Sequence, residues 1–160
     1  MTPFTIGLDP GKQGACAVLD SVGTLLALFD LPYIADGKTA WVDGSAFQSE
    51  LMQALQGRAA TAIVERVSAM PRQGVASSFA FGVGFGSLLG VLRAMQIPIE
   101  LVTPTTWKRA MGLSSDKRAS LDKGRLLFPD AELHLAKHEG RAEALCIAYW
   151  AARRHWSKAA

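Results

Sequence analysis

The sequence predicts an α/β fold in which helices pack against one mixed sheet, and three observations lead to this prediction. Three short apolar segments open the chain and are separated by tight turns. Two further β-prone segments follow, interspersed with segments of helical periodicity. The 160 residues, 49% of them hydrophobic, are enough to build the core of one ordinary domain. Because the sequence contains no repeat, linker or low-complexity tract, we expect a single domain over residues 1–160.

The first three strands are expected at residues 4–8, 14–19 and 24–30. Pro-Gly and Ser-Val-Gly turns separate them, and connections this tight join neighbouring antiparallel strands. The chain therefore begins with an antiparallel meander. A turn-rich segment, Pro32 to Lys38, leads from the third strand into the first helix.

The first helix is expected in SAFQSELMQALQG, where Ser45 is the candidate N-cap and Gly57 ends the helix. Its apolar face consists of Phe47, Leu51, Met52 and Leu55. The apolar segment ATAIVE, residues 60–65, is the expected fourth strand, and Pro98 to Val102 is the fifth. Strands that alternate with helices in this way favour a mixed sheet.

Cap signals mark the helices in the second half of the chain. Thr103 followed by Pro104 is typical of a helix start, because proline fits the first helical position. Asp116 is the candidate cap of a helix over residues 117–127, and the final helix is expected to start near Glu139.

Residues 75–92 carry no charge and belong to a long helix that is expected to run to about Met95. This length is near the lower limit for a membrane-spanning helix. The glycines favour another interpretation, because Gly82, Gly86 and Gly90 share one helix face and would allow another backbone to approach closely. We therefore expect no membrane association, and a helix that is either buried or covered by a second subunit.

The chain carries 17 Lys and Arg against 14 Asp and Glu, which gives a net charge of +3. A mildly basic protein permits a polyanionic partner without requiring one. Cys16 and Cys146 lie in apolar runs without metal-ligand or redox spacing, so we interpret them as small buried hydrophobes. A reducing cytoplasm is the simplest setting, and no signal peptide is recognisable.

Two apolar strands end in carboxylates, Asp9 and Glu65, and the ends of adjacent strands can lie side by side. At the start of the last helix, Glu139 and Glu143 are four residues apart and project from one face. Four converging acids repel one another and form a site of hard oxygen ligands, the type that Mg²⁺ or Mn²⁺ prefers. Such a site suits two-metal phosphodiester hydrolysis.

Each acid also has a purely structural interpretation. Asp9 can stabilise the Pro-Gly turn that follows it. Glu65 can pair with a neighbouring arginine or lysine, and Glu143 can be a surface acid near Arg141. Glu139 can complement the partial positive charge of a helix N-terminus. Spacing alone leaves both interpretations open.

Five segments occur in an order and at spacings that indicate a family. They are GLDPG at 7–11, IVERV at 63–67, the Ala-Ser-Ser-Phe-rich helix after MPRQG, VTPTTWKRAMGL at 102–113 and HEGRAEALCIA at 138–148. Together they resemble the RuvC family of Holliday-junction resolvases, particularly its phage-type and prophage-type members. No single motif is specific, but the ordered set runs from residue 4 to about residue 150.

The resemblance implies a ribonuclease H-like fold, with a mixed five-stranded sheet and helices on both faces. It also implies a homodimer that nicks two opposed strands of a four-way DNA junction with Mg²⁺, or with Mn²⁺ as a substitute, in a bacterial or phage-infected cell. Its metal ligands would be Asp9, Glu65, Glu139 and Glu143. The lysines that match the family's catalytic lysines are Lys108 and Lys117.

One position departs from the family pattern. Related phage-type sequences carry Asp, in His-Asp-Gly-Arg, where this chain has Glu139, and other branches have a metal-facing Asp or His at the position of Gly140. A longer side chain at 139 could displace a metal. His138 is therefore a candidate ligand or proton carrier, or else an ordinary exposed helix-cap residue.

Junction binding requires cations that face phosphates on several arms. The candidates in the basic stretch between 104 and 126 are Lys108, Arg109, Lys117 and Arg118. The loop SAMPRQG follows an active-site strand, so its Met70, Arg72 and Gln73 could contact an opened junction, although an ordinary turn explains the loop equally well. Trp107 is expected in the core or at an interface.

Two other functions stay open. A different ribonuclease H-like nuclease would share the fold and the metals, since neither sets the substrate. A protein that binds four-way junctions without cutting them would fit the departure at Glu139.

Overall fold

The computed structural model describes residues 3–37, 39–68 and 74–159. Its strands are β1 (Phe4–Asp9), β2 (Ala15–Leu19), β3 (Leu25–Asp30), β4 (Tyr33–Asp36), β5 (Thr39–Val42), β6 (Ala60–Glu65) and β7 (Ile99–Val102). Its helices are α1 (Gly44–Leu55), α2 (Val75–Ala94), α3 (Pro104–Ala110), α4 (Lys117–Leu127) and α5 (Glu139–Ala159), with a 3-10 turn, Ala136–His138, before α5. All the strands and helices that the sequence predicted are present.

Five strands form one mixed sheet in the order β3-β2-β1-β6-β7. β1 pairs antiparallel with β2, and β2 with β3, as the tight turns predicted. β6 joins the other side of β1 in parallel, and β7 pairs in parallel with β6. The predicted mixed α/β sheet is therefore confirmed, and the carboxyl ends of β1 and β6 lie side by side.

Helices cover both faces of this sheet, as predicted. On one face, Ile6 and Leu8 of β1 pack with Phe47 of α1 and Leu88 of α2. On the other face, α4 and α5 pack on β2 through a second apolar cluster. The even-numbered side chains of β1 therefore face α1 and α2, whereas Gly7 faces α5.

The backbone of α5 lies directly on β1 at Gly7. A Cβ at this position would clash with the carbonyl oxygen of Ala144 and with Ala148, so only glycine allows the approach. Because side chains alternate along a strand, Asp9 points to the same face of the sheet as residue 7. The close packing of α5 therefore sets the distance between this helix and the carboxylate of Asp9.

Helix caps were predicted correctly at α3 and α4 but not at α1. Thr103 and Asp116 each accept a hydrogen bond from a first-turn backbone N–H. In α1 the cap is Asp43 rather than Ser45. Met52 is 61% exposed, contrary to the prediction, because the buried stripe of α1 runs through positions four residues apart and Met52 lies one residue off it.

The turn-rich segment before α1 contains an antiparallel hairpin, β4–β5, that the sequence analysis did not predict. Strands of four residues each are too short for a clear alternating pattern. The Tyr33 hydroxyl lies 3.2 Å from the carbonyl oxygen of Lys12 and 3.4 Å from that of Gly11. The hairpin therefore supports the turn between β1 and β2.

Helix α2 is only partly covered by the rest of the chain. Its buried residues are Gly84, Leu88, Leu89 and Leu92. Phe79 is 65% exposed, and a Cβ at Gly82, Gly86 or Gly90 would meet no atom within 4 Å. By length and composition α2 could also cross a membrane, and 22% of its most apolar window is buried. No residue in the described ranges therefore covers the glycine face.

Cys16 and Cys146 are buried free thiols, in agreement with their interpretation as small hydrophobes. Burial raises the pKa of the Cys146 thiol to about 12 and that of Cys16 further. Both thiols are therefore protonated and unreactive near neutral pH.

Candidate active site

Asp9, the last residue of β1, is 5% exposed. Its Oδ1 accepts a hydrogen bond from the N–H of Gly11 at 2.9 Å, so its interpretation as a turn residue is correct for one oxygen. The other oxygen, Oδ2, lies 3.5 Å from the position of a Cβ on Gly140, at the start of α5. One carboxylate can therefore hold the turn and still present an oxygen between β1 and α5.

Glu65 ends β6, one residue beyond the Leu8–Val64 pair. This register places Glu65 beside Asp9 at the carboxyl ends of the two strands. Its Oε2 accepts a hydrogen bond from the indole N–H of Trp107 at 2.7 Å. The partner described for this acid is thus an indole and not the arginine or lysine of the structural interpretation.

Glu143 lies on α5, one turn after the helix begins, and is 3% exposed. The Nζ of Lys108 lies 2.6 Å from its Oε1. The contact is a close ion pair, and Oε1 is buried and has no hydrogen-bond partner among the described residues. Glu143 is therefore a buried charge and not the surface acid near Arg141 that the structural interpretation supposed.

The pKa values of Asp9 and Glu65 are both raised, and the charge of Glu143 contributes to each increase. Burial raises the pKa of Asp9 to about 6, and the charge of Glu143 adds to the increase. Burial also raises the pKa of Glu65 to about 7, and the charges of Asp9 and Glu143 add to it. Lys108 and Lys117 lower the pKa of Asp9 in partial compensation. Acids whose ionised forms are this unfavourable are typical of functional sites.

The donor set fits a divalent cation of the Mg²⁺ type. Carboxylate oxygens are the ligands that such a cation prefers, and Oε1 of Glu143 is buried without a hydrogen-bond partner. Within the described ranges, no group of three or more His, Cys, Asp and Glu side chains is already arranged to hold a metal ion. The cation that Glu143 meets is the ammonium of Lys108.

Glu139 is the first residue of α5 and is partly exposed. It is not among the strongest charges that act on Asp9, whereas Glu143 is. Gly140 lies beside Asp9, but a Cβ there would clash with the carbonyl oxygen of Gln13. The packed backbone thus leaves no space for a side chain at residue 140, and the role of Glu139 as a ligand stays a prediction.

His138 is 3% exposed, so its interpretation as an exposed cap residue is wrong. Its ring lies 5.1 Å from that of His134, and its Nδ1 accepts a long hydrogen bond, 3.5 Å, from the N–H of Leu135. Nearby, Arg141 donates to both carboxylate oxygens of Asp30, at 2.7 and 3.0 Å. This cluster fastens the start of α5 to the end of β3.

Two of the predicted basic residues, Lys108 and Lys117, lie near enough to Asp9 for their charges to act on it. Lys117 is exposed at the start of α4, and its charge acts on Asp9. Arg109 and Arg118 are exposed and follow Lys108 and Lys117 in the chain. The other predicted DNA contacts, Met70, Arg72 and Gln73, lie outside the described residues.

Trp107 is the site residue that the sequence analysis did not assign. Its 0% exposure confirms the expectation of a core position, but its N–H contacts Glu65. A buried indole normally finds a hydrogen-bond acceptor, and α3 directly follows β7, the strand beside β6. The contact between Trp107 and Glu65 could be predicted from the sequence only if the strand order were already known.

No protein-family model matches the chain. Among curated proteins, the chloroplastic Holliday junction resolvase MOC1 of Chlamydomonas reinhardtii is 36% identical over 92 residues. That match covers 55% of this chain and 10% of MOC1. The chain therefore resembles one segment of a much longer relative.

Solved structures match over almost the entire chain. RuvC from Thermus thermophilus in complex with a Holliday junction substrate has a TM-score of 0.67 at 18% identity, with 96% of each chain covered. A second Thermus thermophilus RuvC structure has a TM-score of 0.56 at 15% identity and the same coverage. The yeast mitochondrial Holliday junction resolvase Ydc2 has a TM-score of 0.51 at 14% identity, covering 98% of this chain and 82% of its own. The fold is therefore RuvC-like and ribonuclease H-like.

Proposed function

We propose that this protein is a RuvC-type resolvase, a divalent-cation-dependent endonuclease that makes paired nicks in four-way DNA junctions. The observation that carries the proposal is that Asp9 and Glu65 lie at the adjacent carboxyl ends of β1 and β6, with Glu143 of α5 near enough for its charge to act on both. The fold supports it: two of the proteins that the chain resembles are named as Holliday junction resolvases, and RuvC is solved in complex with a Holliday junction substrate. Acids of this number and burial are not needed to hold the sheet together.

Asp9, Glu65 and Glu143 would hold Mg²⁺, or Mn²⁺ in its place. When bound, such an ion polarises the phosphate and makes a coordinated water more acidic. The Gly11 N–H fixes the orientation of Asp9, and the low exposure of Asp9 and Glu143 restricts the access of bulk water to them. The ammonium of Lys108 lies where it can stabilise negative charge that develops on the phosphate, and Lys117 adds positive charge on the open side.

The proposed DNA contacts are sequence-independent. Exposed Arg109, Lys117 and Arg118 would meet phosphates beside the scissile bond, and binding should weaken as the salt concentration rises. The loop residues Met70, Arg72 and Gln73 complete the proposed DNA surface.

We also propose a homodimer in which the exposed glycine face of α2 meets its copy. Gly82, Gly86 and Gly90 leave open space on an otherwise apolar helix, which suits the close approach of a second backbone. A two-fold dimer would present two sites to a two-fold junction.

Gly86→Lys is therefore expected to convert a dimer into a monomer while the fold stays intact. The monomer has room for the lysine, because a Cβ at this position meets no atom within 4 Å, but a packed interface does not. Sedimentation velocity measures the mass, and thermal unfolding checks the fold. The matched control is Gln53→Lys, at an exposed position of α1, which should stay dimeric. A monomeric wild type, or a dimeric Gly86→Lys variant, would contradict the proposed interface.

The experiment that tests the function compares Glu143→Gln with Glu139→Gln on labelled four-way junctions in Mg²⁺ and in Mn²⁺. Wild type is expected to make symmetric nicks. Glu143→Gln should lower the rate at least a hundredfold, since a ligand to the metal controls several kcal/mol of charge stabilisation. Glu139→Gln, one helical turn away, tests the predicted fourth ligand: a comparable loss is expected if Glu139 holds the metal, and most of the rate should remain if it does not. Loss of nicking in both variants would show that a three-carboxylate site is wrong and that Glu139 is a ligand.

Other substrates separate the remaining functions. An RNA–DNA hybrid or a flap cut faster than the junction would identify a different ribonuclease H-like nuclease. Tight junction binding without nicks in either metal would identify a junction-binding protein and refute the enzyme.

A further inference from the structure

Helix α3 places a fixed hydrogen-bond donor against one acid of the site. Trp107 is 0% exposed. Its ring is enclosed by an apolar cluster whose buried members are Ile63, Val102, Met111, Cys146, Ile147 and Ala151. Its indole nitrogen lies 2.7 Å from Oε2 of Glu65, within the range of an ordinary N–H···O hydrogen bond.

The path of the chain makes this donor rigid. Val102 ends β7 and is the cross-strand partner of Glu65 in β6. Only Thr103, the cap of α3, separates β7 from the helix, which begins at Pro104. Trp107 follows within the first helical turn, so its ring lies over the end of β6 and cannot move far from Glu65.

We propose that Trp107 is a positioning residue for Glu65, whose N–H holds Oε2 and leaves Oε1 as the oxygen presented to a divalent cation. The proposal rests on the metal site of the proposed function. Donors that orient a ligating carboxylate typically account for ten- to a hundredfold in metal affinity, because an unrestrained carboxylate must give up its rotational freedom when the ion binds. Packing alone would make no such contribution.

The identity of the acceptor distinguishes this role from ordinary core packing. A buried indole needs some acceptor, and a backbone carbonyl would serve as well. In this site the acceptor is a carboxylate that lies beside Asp9 at the end of the adjacent strand. The donor therefore contacts a residue with a proposed chemical role and not a structural group.

An isosteric replacement tests the N–H without creating a cavity. In 3-benzothienylalanine a sulfur atom replaces the indole N–H while the size of the ring is kept, so this residue is incorporated at position 107. Calorimetric titration with Mg²⁺ and with Mn²⁺, in the absence of DNA, measures affinity directly. We expect metal binding at least tenfold weaker than in wild type. The same replacement of Trp150, which packs against Arg154 at 4.8 Å, is the control and should leave the affinity unchanged.

The role of the acid is tested in the same titration. In a Glu65→Gln background the replacement at position 107 should have no further effect, because the ligand that it orients has been lost. Equal affinities of wild type and the 107 variant would overturn the proposal, and so would a wild type that binds neither metal. The proposed function is tested separately. If wild type binds metal but leaves four-way junctions intact, the proposed resolvase activity is refuted, while the metal titrations still test the role of Trp107.

Discussion

At pH 8 and without divalent cations, Asp9→Asn is expected to be more stable than wild type, although the same change should abolish junction nicking. The two effects have one cause. A carboxylate that is buried next to Glu143 destabilises the folded protein when it is ionised, and the proposed function requires that ionised form to bind a cation.

The direction of the stability effect follows from the pKa. Burial raises the pKa of Asp9 from 3.8 to about 6 in the folded protein. Between these two values the folded protein keeps a proton that the unfolded chain has released, so the free energy of unfolding falls as the pH rises. The shift corresponds to a loss of about 3 kcal/mol that is complete above the folded-state pKa. Asparagine can accept the same bond from the Gly11 N–H and does not ionise, so the variant avoids this loss.

Urea unfolding in a chelator, from pH 4 to pH 8, measures the effect. Wild type should lose stability over this range, and Asp9→Asn should lose less. Asp30→Asn is a control of opposite sign, because the hydrogen bond from Arg141 holds the pKa of Asp30 below its usual value. Its stabilisation is present above that range and lost as the pH falls, so removing the carboxylate should destabilise the protein at pH 8. An Asp9→Asn variant that is less stable than wild type at pH 8 would contradict the burial argument.

Mg²⁺ should reverse the comparison. A ligand that binds only the folded state stabilises it, so wild type gains stability with Mg²⁺ and Asp9→Asn gains less. Nicking of a four-way junction should fall about a thousandfold in the variant, as expected for a loss of several kcal/mol of charge stabilisation. Junction binding should persist, because the exposed cations Arg109, Lys117 and Arg118 are unchanged. A variant that nicks at the wild-type rate would remove Asp9 from the proposed mechanism.

The fold could be predicted from the sequence because the turn and cap residues favour the same elements that the final packing contains. Tight turns predicted the antiparallel start, and the caps Thr103 and Asp116 fixed the starts of two helices. The hairpin β4–β5 was not predictable in this way, since its strands are too short to show a period. The prediction of the α1 cap was wrong because Ser45 and Asp43 are both good cap residues. Only the packing of the helix decides between them.

The acids of the site were recognisable as strand ends, but their surroundings were not. Asp9 and Glu65 end two apolar strands, and the parallel pairing of these strands brings them together. The contacts of Trp107 and Lys108 cross between α3, β6 and α5, so no spacing along the chain predicts them. The need for glycine at position 140 was equally unpredictable. A helical wheel does not show that the carbonyl oxygen of Gln13 occupies the space beside this residue.

Lys108→Met is expected to destabilise the metal-free protein and to strengthen its binding of Mg²⁺. The ammonium lies 2.6 Å from Oε1 of Glu143, and the two side chains are 13% and 4% exposed. Removing one partner of a buried pair leaves an uncompensated charge, which costs about 3 kcal/mol or more. Methionine keeps most of the volume of the side chain, so the loss of the charge dominates the effect.

The gain in metal affinity follows from the same contact. Lys108 is the cation that Glu143 meets, and a divalent ion that binds Glu143 has to compete with it for the same oxygen. Without that competitor, Mg²⁺ should bind about tenfold more tightly, and it should restore most of the lost stability. Lys117→Met is the matched control. Lys117 is exposed and forms no described salt bridge, so its removal should change the stability little.

Nicking separates the two roles of Lys108. If the ammonium also stabilises charge on the phosphate, Lys108→Met should cut a junction about a hundredfold more slowly at saturating Mg²⁺, despite its tighter metal binding. Weaker Mg²⁺ binding in the variant would contradict the competition between lysine and metal, and would mean that Lys108 holds Glu143 in the orientation that the metal needs. A normal nicking rate with tighter Mg²⁺ binding would mean that Lys108 only neutralises Glu143 until a cation replaces it, and does not stabilise charge on the phosphate.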